Sequence, residues 1–191
     1  FKRSPINFRR LAGVPKKRNP KGVALFISGM LLENQRQANP ALLDQAKQLG
    51  EWLVEQMCDQ DVWGAPCWGY HFPWKARAFF VPLGKPNLIT TVYVSKALYD
   101  LGQVCANEKW VDIALRSADF MVDKLYNTSD KGDYFSYIPG ESALVHNANL
   151  WAAAWVNHSA YARNLEAHKT LARKACWTSA NAQKADGSWP Y

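Results

Sequence analysis

LITTVYVSKALYDL (88–101) is the stretch on which the architecture turns. Its first seven residues, Leu88-Ile89-Thr90-Thr91-Val92-Tyr93-Val94, carry the β-branched cluster of a strand. The next seven, Ser95-Lys96-Ala97-Leu98-Tyr99-Asp100-Leu101, place apolar side chains at helical period. Two other segments decide between the readings. Pro20 to Leu32 lies over Pro86 to Leu98 at an offset of 66, pairing Pro20 with Pro86, Val23 with Ile89 and Leu31-Leu32 with Ala97-Leu98. Asn87-Leu88 lies over Asn149-Leu150 at an offset of 62, and Val94 falls on Val156. Both partner segments read as helices, so 88–101 is expected to be helical as well, its local propensity overridden by context. Pro in a first helical turn is tolerated because that N–H has no partner anyway, and Asn, Ser or Thr beside it caps the free donors.

A second set of segments repeats between these. The stretch from Asn39 matches the stretch from Asn107 at an offset of 68, pairing Asp44 with Asp112, Ala46 with Ala114 and Val54 with Val122. Each reads as an amphipathic helix of about five turns, and a third helix around 166–183 takes the equivalent place. The first set is more uniformly apolar, as in Val23-Ala24-Leu25-Phe26-Ile27 and in the run from Leu150 to Val156. A helix apolar nearly all round is expected to be buried. Each unit is therefore an inner helix followed by an outer one. The fold class is all-α, with about three antiparallel helical hairpins at 19–84, 85–144 and 145–191. They form one repeat domain over 19–191 behind a basic arm at 1–18.

The net charge of +7 belongs to that arm. Residues 1–21 hold eight Lys and Arg and no acid, which leaves 15 basic and 16 acidic side chains in the rest. A nearly neutral body is not the footprint of a nucleic-acid-binding domain, and no nucleic-acid partner is expected. No apolar run approaches the ~20 residues of a membrane helix. Cys58, Cys67, Cys105 and Cys176 show no metal-like spacing and read as free thiols of a reduced, cytoplasmic protein. No phosphate loop, dinucleotide fingerprint or His/Cys/Asp ligand spacing is present, so neither cofactor nor metal is expected. Phe1 without an initiator Met, and a chain that stops just after a strong motif, read as a piece of a longer protein.

Nine Trp, eight Tyr and eight Phe make the chain rich in rings. Many lie in the stretches that follow the outer helices: VWGAPCWGYHFPW (62–74), DYFSYIPG (133–140) and QKADGSWPY (183–191). The last contains Gln183, Gly187 and Trp189 in the Q-x3-G-x-W spacing that resembles the QW repeat of squalene- and hopene-cyclase-like proteins. There Gln is expected to cap a helix end while Trp packs on the next hairpin. More broadly the chain resembles the α/α-toroid superfamily of terpene cyclases, protein prenyltransferases and six-hairpin glycosidases, lyases and epimerases. The stretches NPKGVALF (19–26), CWGYHFPWKARAFFVPLGKPNLITT (67–91) and VHNANLWAAA (145–154), in that order, are similar to a bacterial six-hairpin-glycosidase-like group associated with exopolysaccharide and envelope-glycan proteins. Closed rings of this kind hold about six hairpins. Three imply a partial ring, completed by a further part of the chain or by a protein partner.

The resemblance implies that the inner helices' N-termini and the loops feeding them meet at one mouth. That mouth would gather Trp68, Tyr70, His71, Trp74, Lys75 and Arg77, then Asn87, Thr90 and Thr91, then Tyr137, Glu141, His146, Asn147 and Asn149. Flat rings suit sugar C–H faces, while amides, Arg and His suit hydroxyls or a uronate. The candidate catalytic residues are His71, Glu141 and His146, since imidazole titrates near neutrality and suits proton transfer. The candidate substrate-binding residues are Trp68, Tyr70, Trp74, Arg77, Asn87, Tyr137, Asn147, Asn149 and Trp189. Asp133 or Asp186 could supply a second carboxylate beside Glu141 for glycoside hydrolysis. The expected ligand is an oligosaccharide or polysaccharide, handled by a hydrolase, lyase or epimerase. An isoprenoid-handling toroid is the alternative favoured by the rings, although the DxDD acid motif of those cyclases is absent. A non-catalytic interaction scaffold is the third reading.

Overall fold

The computed structural model describes residues 5–9, 11–13, 16–76 and 79–190. The deciding stretch is helical: α4 runs Leu88–Cys105. It pairs with α5 (Glu108–Leu125), as α1 (Pro20–Arg36) pairs with α2 (Pro40–Glu55) and α6 (His146–Ala162) with α7 (Glu166–Asn181). A single turn, α3 (Gln60–Trp63), lies in the first connector. The inner helices α1, α4 and α6 pack side by side, and each outer helix packs on the inner helix of its own hairpin.

The helix starts are written in side-chain chemistry. Asn19, Asn39, Asn87 and Asn107 each accept a bond from a backbone N–H in the first turn of α1, α2, α4 and α5. Pro20 and Pro40 open α1 and α2 where a missing N–H costs nothing. These caps also correct the register. Asn19 and Asn87 stand 68 residues apart, as Asn39 and Asn107 do. The last unit, capped at Val145 and Leu165, follows at 58. The offset of 66 set Pro20 on Pro86 instead of Asn19 on Asn87, and the offset of 62 set the cap Asn87 on Asn149, four residues inside α6 from its cap Val145.

α4 is the centre of the core. Leu88, Val94, Ala97, Leu98 and Leu101 are wholly buried, and a fully buried Leu contributes about 1.5–3 kcal/mol. They meet Leu53, Trp68, Phe120, Met121 and Phe135 in one cluster. Polar ties run within and between hairpins. Ser95 and the Trp155 indole both donate to Ser117 Oγ at 2.6 and 2.9 Å, and Arg163 grips Asp119 through two bonds of 2.7 and 3.0 Å.

Two features depart from expectation. The inner helices are not buried all round: Leu25, Phe26 and Leu32 on α1 are at least half exposed, and Trp151 on α6 is 41% exposed. In the cap register Leu25, Tyr93 and Trp151 are equivalent positions, so this open face runs across all three inner helices. The connectors also contain strands. β1 (Trp74–Lys75) pairs antiparallel with β2 (Phe80–Val81), and β3 (Tyr126–Ser129) with β4 (Gly132–Phe135). Gly132, at φ 110°, makes the second hairpin's turn, a conformation costly for a residue with a Cβ.

Candidate functional site

The connectors feeding α4 and α6 lie against each other. Phe79, Val81 and Ile138 form a small buried cluster with Trp74, Tyr137 and Val145 packed on it. Leu88 N donates to the Tyr137 carbonyl at 2.9 Å, placing the second connector on the first turn of α4. Gly69 lies so close to the 84–85 backbone that a Cβ there would approach Lys85 O to 2.5 Å.

Rings line this junction. Tyr70 stacks on Phe72 with centroids 5.2 Å apart, and Trp74 meets Tyr70, Phe79 and Tyr137 edge-on at 6.2, 5.9 and 5.6 Å. The Tyr70 and Tyr137 hydroxyls are 3.4 Å apart. Burial pushes the Tyr137 phenol up, so it stays protonated as a donor. Phe72 is 41% exposed and Tyr70, Trp74 and Tyr137 are half-buried. Phe72 and Phe79 complete the cluster, although the sequence reading did not single them out; their place between Tyr70 and Val81 was the available signal.

Beside the rings are polar atoms with no partner in the protein: Trp74 Nε1, His71 Nδ1, Asn87 Nδ2 and Thr90 Oγ1. Asn87 and Thr90 are wholly buried at the start of α4, where Asn87 Oδ1 caps Thr90 N at 2.9 Å and its amide is left over. The His71 imidazole is held below its ordinary value by desolvation, and further by the charge of Lys17.

Other candidates are placed differently. Trp68 is fully buried, and its indole donates to Leu53 O, near the end of α2, at 2.7 Å. Trp189 does the same for α7, donating to Ser179 O at 2.7 Å, while Gln183 bonds Gly187 O within the turn. In this motif the Trp satisfies the helix end and the Gln braces the turn. Asn149 is buried, with Oδ1 accepting from Phe135 N at 2.8 Å and Nδ2 donating to Ala175 O at 2.7 Å and Ser179 Oγ at 2.8 Å. His146 Nδ1 shares Ser179 Oγ at 3.0 Å, and burial lowers its pKa. Thr91, at the position of α4 equivalent to Asn149, holds Trp68 N at 3.1 Å.

Glu141 is half-buried, Lys75 is exposed, and Asn147 is exposed with Oδ1 on Ala148 N. Asp133 is held low by the Tyr126 hydroxyl, with Lys174 also near, and Asp186 by the Ser188 amide. Both therefore favour the ionised form, unlike a general acid. Arg77 lies outside the described residues. Among the described residues no group of His, Cys, Asp and Glu is placed to hold a metal ion, and no helix is long and apolar enough to cross a membrane.

No protein-family model matches the chain, and no curated protein matches it. Solved structures do. A glycoside hydrolase family 76 α-mannanase from Bacteroides thetaiotaomicron aligns over 90% of this chain and 47% of its own, at a TM-score of 0.59 and 13% identity. The fold is that of an α/α toroid. A second family 76 structure, a mannosidase from the same organism, aligns over 87% of this chain and 45% of its own, at 0.58 and 13%. The chain thus spans about half the length of these toroids, matching a partial ring of three hairpins.

Proposed function

We propose that this toroid domain binds a carbohydrate chain at the junction of its connectors, as part of a polysaccharide-modifying enzyme of hydrolase, lyase or epimerase type. The observation that carries the reading is the Tyr70–Phe72–Trp74–Tyr137 ring cluster, with Phe72 exposed and the Tyr70 and Tyr137 hydroxyls 3.4 Å apart at its edge. Sugars offer apolar C–H faces edged by hydroxyls, and such a surface meets both. The structural neighbours are a mannanase and a mannosidase, which agrees with a glycan ligand. In this reading the Trp74 ring stacks on a sugar face, the Tyr70 and Tyr137 hydroxyls take sugar hydroxyls, and buried Asn87 and Thr90 set the start of α4 beneath them. His71, whose imidazole favours the neutral form, is the base in this reading, and Glu141 is the carboxylate. Asn147, exposed at the start of α6, contributes from the rim. His146, Asn149, Trp68 and Trp189 hold helix ends and connectors in place.

The test is calorimetric titration with neutral and acidic oligosaccharides, followed by product analysis. New reducing ends would mark a hydrolase, absorbance of an unsaturated uronate a lyase, and an altered sugar proton spectrum an epimerase. Absence of glycan binding by the intact protein, or binding indifferent to Trp74→Ala, overturns the proposal. The exposed Leu25, Phe26 and Leu32 favour one second reading, a scaffold whose open inner face pairs with further hairpins. Light scattering that finds a lasting complex through this face, with no glycan bound, would select it.

A further inference from the structure

We propose that a cavity next to the ring cluster, closed on one side by the end of the basic arm, is a subsite for the carboxylate of an acidic sugar unit. This rests on the carbohydrate reading and specifies the substrate class. The cavity, of about 270 Å³, lies between the start of α1, the end of α2 and the connector to α4. Its walls include Arg18, Gln56, Cys58, Tyr70, His71 and Gly84. That volume falls just below the roughly 300–1,000 Å³ of pockets for drug-sized ligands, which suits one sugar unit rather than a chain. Tyr70 is a shared wall, since its ring also stacks on Phe72. A chain lying over the rings could place one unit here.

The charge of the cavity is one-sided. Arg18 lines it, Lys17 is near enough for its charge to act on His71, and among the described residues no carboxylate contributes to the wall. The arm that supplies these cations carries eight of them within residues 1–21 and no acid. The Arg18 guanidinium lies over the Trp52 ring at 5.8 Å, which orients the side chain while leaving its N–H edges for a ligand. A guanidinium fork matches a carboxylate through two parallel bonds. The half-buried His71 ring borders the same space, and the Gln56 amide can take a neighbouring hydroxyl. A guanidinium bordering a partly enclosed space, with a second cation near, attracts an anion more strongly than it would in open water. A neutral sugar would leave that field unanswered.

The experiment compares tetragalacturonate, its carboxyl-reduced neutral counterpart and inorganic phosphate by calorimetry. The proteins are the parent chain, Arg18→Gln and Arg18→Lys. The acidic tetramer is expected to bind the parent at least tenfold more tightly than the neutral one. Arg18→Gln should erase that preference without changing affinity for the neutral tetramer, and Arg18→Lys should restore part of it. Unchanged circular dichroism in both variants excludes misfolding as the cause. Equal affinity for the two tetramers, or a preference that survives Arg18→Gln, overturns the subsite while leaving the carbohydrate reading intact. Binding of phosphate but of neither tetramer overturns both and assigns the cavity to a phosphate group.

Discussion

Asn149 offers the sharpest separation of scaffold from site, and Asn149→Ala is the perturbation. Its amide joins α6 to β4 through Phe135 N and to α7 through Ala175 O and Ser179 Oγ, with the residue wholly buried. After truncation Ser179 Oγ keeps His146, and Ala175 O keeps its place in the α7 ladder, but Phe135 N–H is left buried with no acceptor. An orphaned buried donor costs about 1–3 kcal/mol, and each of the two other lost bonds about 0.5–1.5 kcal/mol. The sum is about 2–6 kcal/mol, centred near 4, a large part of the roughly 5–15 kcal/mol that holds a domain together. In a chain of this size that corresponds to a fall in Tm of roughly 10 °C. Asn149→Thr is the informative companion, because Thr91 performs the same task for Trp68 N with a hydroxyl; it should recover about half of the loss. Urea unfolding followed by tryptophan fluorescence and far-ultraviolet dichroism measures both. Stability of Asn149→Ala within about 0.5 kcal/mol of the parent, together with lost glycan binding, would refute the structural assignment.

Four further outcomes follow from the same geometry. Trp74→Ala should weaken glycan affinity about tenfold, on the order of 1.4 kcal/mol, and also lower the unfolding midpoint, because the ring packs on Phe79 and Tyr137; a titration of the folded variant that finds parental affinity contradicts the ring platform. Trp189→Phe should cost about 1 kcal/mol, the lost indole bond to Ser179 O, read as a lower urea midpoint. Gly69→Ala should destabilise by about 1–3 kcal/mol, since its Cβ would press on the Lys85 carbonyl; an unshifted thermal midpoint counts against the close approach. His146 is held below its ordinary pKa by burial, so the unfolded chain takes up its proton first on acidification. Stability is then complete above the ordinary imidazole range near 6.5 and falls as the pH drops through that range toward the folded value. His146→Gln should flatten that fall in denaturation curves from pH 7.5 to pH 5.

The helices were legible because their signals are local and redundant. Asn at the cap, Pro after it and a 3.6-residue period all agree over 20–36 and 40–55. The connectors were not. Tyr126–Ser129 is too short to display alternation, yet Asp130-Lys131-Gly132 between Thr128 and Tyr134 was a turn signal that could have found the β3–β4 hairpin. Trp68 and Trp189 sit among rings in the connectors, where the sequence allows either a ligand platform or hairpin packing. Their indole N–H groups bond Leu53 O and Ser179 O, equivalent positions near the ends of α2 and α7. Only the second lies in a complete Q-x3-G-x-W spacing, so the shared task is invisible to the motif. The exposure of Leu25 and Phe26 could not be read from composition, which reports that a helix is apolar and not what covers it.

The cap spacing explains why the site belongs to the connectors. From inner cap to outer cap the distance is 20 residues in every hairpin: Asn19 to Asn39, Asn87 to Asn107, Val145 to Leu165. The hairpin is therefore a fixed unit, and the whole difference between the 68- and 58-residue repeats lies in the segments joining one hairpin to the next. Thr91 and Asn149 anchor those segments from matching positions on α4 and α6, so the scaffold holds each connector by its root while leaving its middle free to vary. In the first connector that freedom is filled by Tyr70, His71, Phe72 and Trp74, and in the second by Tyr137 and Glu141. A helical hairpin of constant length cannot supply convergent chemistry from its own face, because that face is spent on packing against its neighbours. Segments of unequal length rooted at one end of adjacent helices can, and here they bring rings from both to within 6 Å of each other.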